Sequence, residues 1–346
     1  MRRYEVAGAI ALFIIAKLVV LWASGATSLE GLRIFATRWD AEHFARLAEE
    51  WYSGEADYAF APLLPATARI LVVAGLPSWA SVLLVANIGS VALLAGLSRL
   101  YDPRTAALVM AFPVLAVYTT APYSEALALP LFVWGLYAYQ RKNYLAAGLL
   151  LGASATARYT MALAGAVLVL YTLRRGLREA AALTAGLAPA ALLLAAFLAS
   201  SRWGLTVYFR AERYWQAGLG TPLDHVRWIL ESSITAQFAS LRGIPVSPGL
   251  YVARNILFAL LAVAGLALHW SRWRRPWETL AAVPGIIVPI LATGVPALSM
   301  PRLILAGLPA IAGLAPKGRA TALIYVAGAL AGACVVAVWH MELFFS

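Results

Sequence analysis

Two short polar stretches carry the side chains best suited to chemistry. The denser is Thr37-Arg38-Trp39-Asp40-Ala41-Glu42-His43-Phe44-Ala45-Arg46-Leu47-Ala48-Glu49-Glu50-Trp51-Tyr52. At helical spacing Asp40, His43, Phe44 and Leu47 share one face, while Glu42, Arg46, Glu49 and Glu50 point elsewhere. The pattern predicts an amphipathic helix on a membrane surface, with Asp40 at its start and Trp39 anchored at the interface. A carboxylate so placed, oriented by His43, is a candidate general base. The plain alternative is that Asp40 caps the helix and His43 faces solvent or headgroups, and from this segment alone the two readings balance. Asp40-x-Glu42 resembles an acidic metal-binding pair, but residues two apart do not share a helix face, so no metal site is predicted.

The second stretch is Ala121-Pro122-Tyr123-Ser124-Glu125, a tight loop between apolar helices. A carboxylate at the edge of hydrocarbon is costly and calls for a partner. Capping through Ser124 or Glu125 is one use for it. Arg158, which interrupts a long apolar stretch, supplies a better one as an ion-pair partner of Glu125 or as an anion ligand, although an exposed arginine can also snorkel. Arg302, in Ser299-Met300-Pro301-Arg302, lies at the same expected depth. Several guanidinium groups at one level suit a phosphate, whose oxygens they match in bidentate fashion. The segment Tyr208-Phe209-Arg210-Ala211-Glu212-Arg213-Tyr214-Trp215-Gln216 adds aromatics and two arginines. It reads equally as substrate binding, with Arg213 a donor-binding candidate, or as an aromatic belt with snorkelling cations. There is no glycine-rich phosphate loop, the four histidines (His43, His225, His269, His340) are scattered, and no serine has a nucleophile setting.

The elements that must position these groups are transmembrane helices. The chain has 346 residues, 62% hydrophobic and only 12% charged, which is too little polarity to cover a soluble protein of this size. Its net charge of +11 is divided into short clusters between apolar blocks, which suggests topology control rather than nucleic-acid binding. The lone Cys334 excludes an internal disulfide framework. The first apolar run reads as a retained signal anchor. Eleven spans are expected: 6–24, 79–98, 105–120, 126–140, 144–157, 159–173, 180–200, 251–270, 278–294, 302–315 and 321–340. Pro62–Leu76 carries Pro62, Pro65 and Arg69 and reads as a re-entrant or interfacial helix. With the N-terminus inside, fourteen basic residues then face the cytoplasm against four acids, whereas a full span at 62–76 would turn every later cluster outward. This predicts one domain over 1–346, with long exterior loops at 25–78 and 201–250. Gly148-x-x-x-Gly152 and Gly328-x-x-x-Gly332 are spacings that let helices approach closely.

Arg38-Trp39-Asp40-Ala41-Glu42-His43-Phe44, followed by Ala59-Phe60-Ala61-Pro62-Leu63-Leu64-Pro65, resembles the first-loop signature of the PIG-V-type GPI mannosyltransferase family. Pro122-Tyr123-Ser124-Glu125, Ala157-Arg158 and Pro301-Arg302 resemble later motifs of that family, in the same order. The family often has Phe-Phe-Pro where this chain has Phe60-Ala61-Pro62, and the compact loops suggest a prokaryotic homologue. The resemblance implies an all-α GT-C glycosyltransferase fold and an inverting enzyme on the non-cytoplasmic face of the cell membrane, or of the endoplasmic reticulum in a eukaryote. It implies mannose taken from a dolichyl- or polyprenyl-phosphate-mannose donor and given to a lipid-linked or glycolipid acceptor. Asp40 matches the family's essential acid, and Glu125 and Arg158 its other polar positions. The full expected site is Asp40, His43 and Glu125 for catalysis, with Arg38, Tyr123, Ser124, Arg158, Arg213 and Arg302 binding donor phosphate or substrate. No cofactor, metal or nucleic acid is expected, and the protein is expected to be a monomer among membrane lipids. The competing functions are a transporter or flippase of polyprenyl-linked or other anionic lipids, and a non-catalytic subunit of a glycosylation complex.

Overall fold

The computed structural model of the chain describes residues 3–232, 240, 241 and 244–342. Arg2 of the first basic cluster and part of the 201–250 loop lie outside them. Helices or strings of short helices occupy the eleven stretches expected to span, except at the end of 278–294, where Ala292–Thr293 is a short strand. Among the described residues, five helices are long and apolar enough to cross a membrane: α1 (Arg3–Ala23, apolar from Tyr4), α5 (Ser78–Leu100), α11 (Leu177–Ala199), α14 (Pro248–Trp273) and α19 (Arg319–Glu342). Helices α8 (Glu125–Gln140), α9 (Tyr144–Ala157), α10 (Ala162–Leu173) and α15 (Pro276–Leu291) have 12 to 16 residues.

The remaining two stretches break into shorter pieces, the first of them at a proline. The expected span 105–120 is two helices, α6 (Pro103–Met110) and α7 (Pro113–Tyr118), with Phe112 extended at ψ 127° before Pro113. That is the conformation forced on a residue preceding proline. After the four-residue α16 (Val295–Leu298), the expected span 302–315 is α17 (Met300–Leu303), a 3-10 turn over Ile304–Gly307 and α18 (Leu308–Leu314). A continuous helix in either place is thereby corrected. Pro62–Leu76 forms the 11-residue helix α4 (Leu63–Val73), about half of what a bilayer crossing needs.

The 25–78 segment folds as α2 (Leu29–Ala36), α3 (Asp40–Glu50), a 3-10 turn over Glu55–Ala59, and α4. Its apolar face makes a core of its own. Phe44, Leu47, Tyr52, Tyr58, Phe60 and Leu64 pack with Val82 and Val85 of α5, and with Val207 and Ala211 of α12 (Val207–Tyr214) in the second long inter-helix segment. Asp57 fixes the turn: its carboxylate takes the Ser53 and Gly54 N–H groups at 3.0 and 2.8 Å and pairs with Arg46. The second segment continues through β1 (Gly218–Leu219) and α13 (Pro222–Glu231). Strand β1 pairs antiparallel with β4 (Ala292–Thr293), so the wholly helical expectation gains a two-residue ladder, and a second joins β2 (Ser240–Leu241) to β3 (Ile244–Pro245). The β1–β4 ladder ties this second segment to the end of α15.

The two Gly-x-x-x-Gly spacings behave differently. At Gly148 a side chain would collide with the Leu183 carbonyl and meet the Gly186 Cα at 2.8 Å, so α9 and α11 touch backbone to backbone. Gly328 faces open space, and Gly332 alone of that pair makes a close approach, to Pro113. Gly148→Val should therefore lower stability by about 1–3 kcal/mol through overpacking, while Gly328→Ala leaves it unchanged. Thermal unfolding of the two variants in detergent checks the contrast.

Candidate active site

Asp40 is the first residue of α3, and the cap position belongs to Trp39, whose φ of 55° is in the left-handed region. Such a conformation is costly for a bulky residue and persists only where its surroundings hold it. Trp39 is held on both sides: its Nε1 donates to the His340 carbonyl at 2.7 Å, and the Arg38 guanidinium lies over its ring at 4.3 Å. The capping alternative for Asp40 is thus corrected. Its carboxylate instead accepts from Arg302 Nη1, at 2.6 Å to Oδ2, across 262 residues of sequence.

Arg302 is buried and touches two carboxylates. Its Nε lies 3.0 Å from Glu125 Oε1, and Glu125 Oε1 also pairs with Arg158 Nη1. The result is a chain of alternating charge, Asp40–Arg302–Glu125–Arg158, with no net charge. Glu125 sits deepest, with its side chain 1% exposed, against 17% for Asp40 and 10% for each arginine. Tyr123 and Tyr118 flank the Arg302 guanidinium at 5.0 and 5.8 Å from their ring centroids. Ser124 Oγ donates to Glu125 Oε2 at 3.3 Å. A clamp absent from the sequence reading supports this loop from below: Lys17 Nζ of α1 donates to Asn87 Oδ1 at 2.8 Å and to the Thr119 carbonyl at 2.9 Å.

Asp40, Ser124, Arg158 and Arg302 border a cavity of about 660 Å³. That is within the usual range for small-molecule sites. The other walls are mostly apolar and aromatic, including Phe44, Phe60, Tyr159, Tyr208, Trp215 and the β1–β4 ladder. The ladder is pinned from behind by His225, whose Nδ1 bonds the Ala292 carbonyl at 2.6 Å while Asn255 Nδ2 donates to its Nε2 at 2.9 Å. Because the amide nitrogen can only donate, Nε2 accepts and the Nδ1 carries the proton. Burial depresses the His225 pKa, the Ala292 bond opposes that, and the charge of Arg254 lowers it further.

The other expected residues take different places. Tyr123 is fully buried and donates to the Arg38 carbonyl at 3.3 Å, so it lies behind the arginine rather than in the cavity. Arg38 is committed to Trp39 and does not border the cavity. His43 makes no hydrogen bond with Asp40 among the described residues. Its ring stacks on Phe60 at 4.7 Å and meets Trp215 edge-on at 5.6 Å, which corrects its expected orienting role. Arg213 is exposed on α12 and away from the cavity wall, which takes Tyr208 and Glu212 of that helix instead. Glu42 is exposed, and among the described residues no group of three or more His, Cys, Asp or Glu side chains is placed to hold a metal ion. Tyr159 and Glu212 went unnoticed in the sequence, although one follows Arg158 directly and the other is the acid of the aromatic segment.

The chain matches no family model and no curated protein. Among solved structures it is similar to ArnT from Cupriavidus metallidurans bound to undecaprenyl phosphate, at 16% identity and a TM-score of 0.45, over 97% of this chain and 77% of that one. A likeness this distant assigns no chemistry to the chain, whose reading rests on its own residues.

Two outcomes follow from the charge chain and the ladder. Glu125→Gln leaves two guanidinium groups without their shared counter-ion and should cost about 3–5 kcal/mol, read as a large drop in melting temperature. His225, neutral in the fold with its pKa below the ordinary 6.5, contributes stability that is complete above that value and is lost as pH falls from it through the depressed one. His225→Gln should flatten the acid limb of a stability-against-pH curve.

Proposed function

We propose that this chain is a membrane-embedded, inverting glycosyltransferase of the GT-C type. In this reading it takes mannose from a polyprenyl-phosphate-mannose donor and passes it to a lipid-linked acceptor on the non-cytoplasmic side. The observation that carries it is the Asp40–Arg302–Glu125–Arg158 chain at the wall of a large, mostly apolar cavity. Mannose and the family rest on the motif resemblance around Asp40, Glu125, Arg158 and Arg302.

The division of labour follows from burial. Glu125 lies behind both arginines and serves as their fixed counter-ion, holding two guanidinium groups at one spot within hydrocarbon reach. A guanidinium has five N–H donors, so the pairings with Glu125 and Asp40 leave others free to take phosphate oxygens. Asp40 lends Oδ2 to Arg302 and keeps Oδ1 for an acceptor hydroxyl. In the reaction Asp40 takes the acceptor's proton as its oxygen attacks the anomeric carbon. The bond from that carbon to the phosphate oxygen breaks on the opposite face, and Arg158 and Arg302 stabilise the departing polyprenyl phosphate. A phosphate ester is already a good leaving group, so neither a protein acid nor a metal is required.

Asp40→Asn should retain the fold, since an amide still accepts from Arg302, but should lose roughly 10²–10⁴-fold in transfer from a synthetic polyprenyl-phosphate-mannose. Near-wild-type turnover by that variant would sink the assignment of Asp40 as base. Transfer should also persist in EDTA, and a loss restored by a divalent ion would bring a metal back into the mechanism.

A further inference from the structure

One part of the cavity wall has no role in the charge chain. Tyr159 follows Arg158, and both border the cavity. Its ring packs on Tyr208 at 4.8 Å and 66°. Its Oη is buried and, among the described residues, has no hydrogen-bond partner. Tyr208 and Glu212 stand one turn apart on α12 and border the same cavity. Burial raises the pKa of the Glu212 carboxyl, and the nearby Tyr208 hydroxyl brings it only part of the way back. The cations around it are otherwise engaged or turned away: Arg158 pairs with Glu125, Arg210 lies 3.7 Å from Glu55, and Arg213 is exposed.

A buried phenol without a partner and a desolvated carboxyl without a cation both cost free energy that the fold alone does not return. The missing partner has a definable chemistry. An apolar ligand leaves the Tyr159 phenol unpaired and the Glu212 carboxyl with the Tyr208 hydroxyl alone, and an anion finds no uncommitted cation there. A ring bearing several hydroxyls supplies an acceptor for Tyr159 and donors for Glu212 at once.

We propose that Tyr159, Tyr208 and Glu212 form a hydroxyl-recognition subsite that holds the sugar ring of the donor beside the phosphate bound at Arg158. The inference rests on the glycosyltransferase reading above and assigns the sugar its place within it. This subsite, rather than the arginines, would then distinguish a glycosylated lipid phosphate from the bare one released as product.

The test compares wild type, Tyr159→Phe and Glu212→Gln, each purified in detergent, for binding of a synthetic polyprenyl phosphate and of its mannosylated form. The bare lipid should bind all three proteins equally, which also reports that the variants are folded. The mannosylated lipid should bind each variant about tenfold more weakly, the effect of one lost hydrogen bond in a desolvated site. Equal weakening towards both lipids would assign the residues to wall packing and overturn the subsite, as would unchanged affinity for both. A wild type that binds neither lipid overturns the donor reading and the subsite with it. A wild type that binds both, with variants that do not discriminate, overturns the subsite alone.

Discussion

The position of Arg302 between two carboxylates is the interaction on which the rest of the site depends. A guanidinium this deep in an apolar protein is stable only with its charge matched, and Asp40 and Glu125 match it from opposite directions. Three separate parts of the chain are thereby forced to meet: the start of α3, the start of α8 and the broken segment at α17. Arg158 closes the set from the end of α9. Because the four charges cancel, the assembly can lie at the edge of hydrocarbon and still present two cations to the cavity.

The surrounding architecture serves to hold that meeting point. The elements that carry Asp40, Glu125 and Arg302 to the site are broken or begin abruptly. Pro113 and Pro301 mark two of these breaks, and the left-handed Trp39 marks a third. Lys17 and Asn87 close the turn before Tyr123-Ser124-Glu125, so α1 and α5 contribute to the site without touching the cavity. The 25–78 segment and α12 share one hydrophobic core, which fixes the aromatic wall relative to Asp40. The proposed chemistry uses this rigidity: two arginines fixed in advance need no reorganisation when charge develops on a leaving phosphate.

Much of this was legible in the sequence because membrane proteins leave few choices for a charged residue. The cost of an unpaired carboxylate was enough to join Glu125 to Arg158, and helical spacing was enough to start α3 at Asp40. What the sequence does not contain is direction at long range. Nothing local shows that Arg302 reaches Asp40 while Arg213 faces out. His43 occupies the expected face of α3, but the rings it meets come from Phe60 and from Trp215, the latter more than 170 residues away in the segment after α11. Tyr159 and Glu212 were overlooked for the same reason: their significance lies in what they lack, and a missing partner is visible only once the cavity is closed around it. Gly328, spaced like a packing residue yet facing open space, shows the converse, a pattern with no contact behind it.

The central claim is that this cavity breaks the bond between a sugar and a polyprenyl phosphate. The most direct measurement is incubation of the purified protein with a panel of polyprenyl-phosphate sugars and a lipid-linked acceptor, following release of free polyprenyl phosphate. Release should depend on acceptor and be greatest with the mannosylated donor. Binding or transbilayer movement of these lipids with no release from any of them would contradict it and leave a transporter in its place.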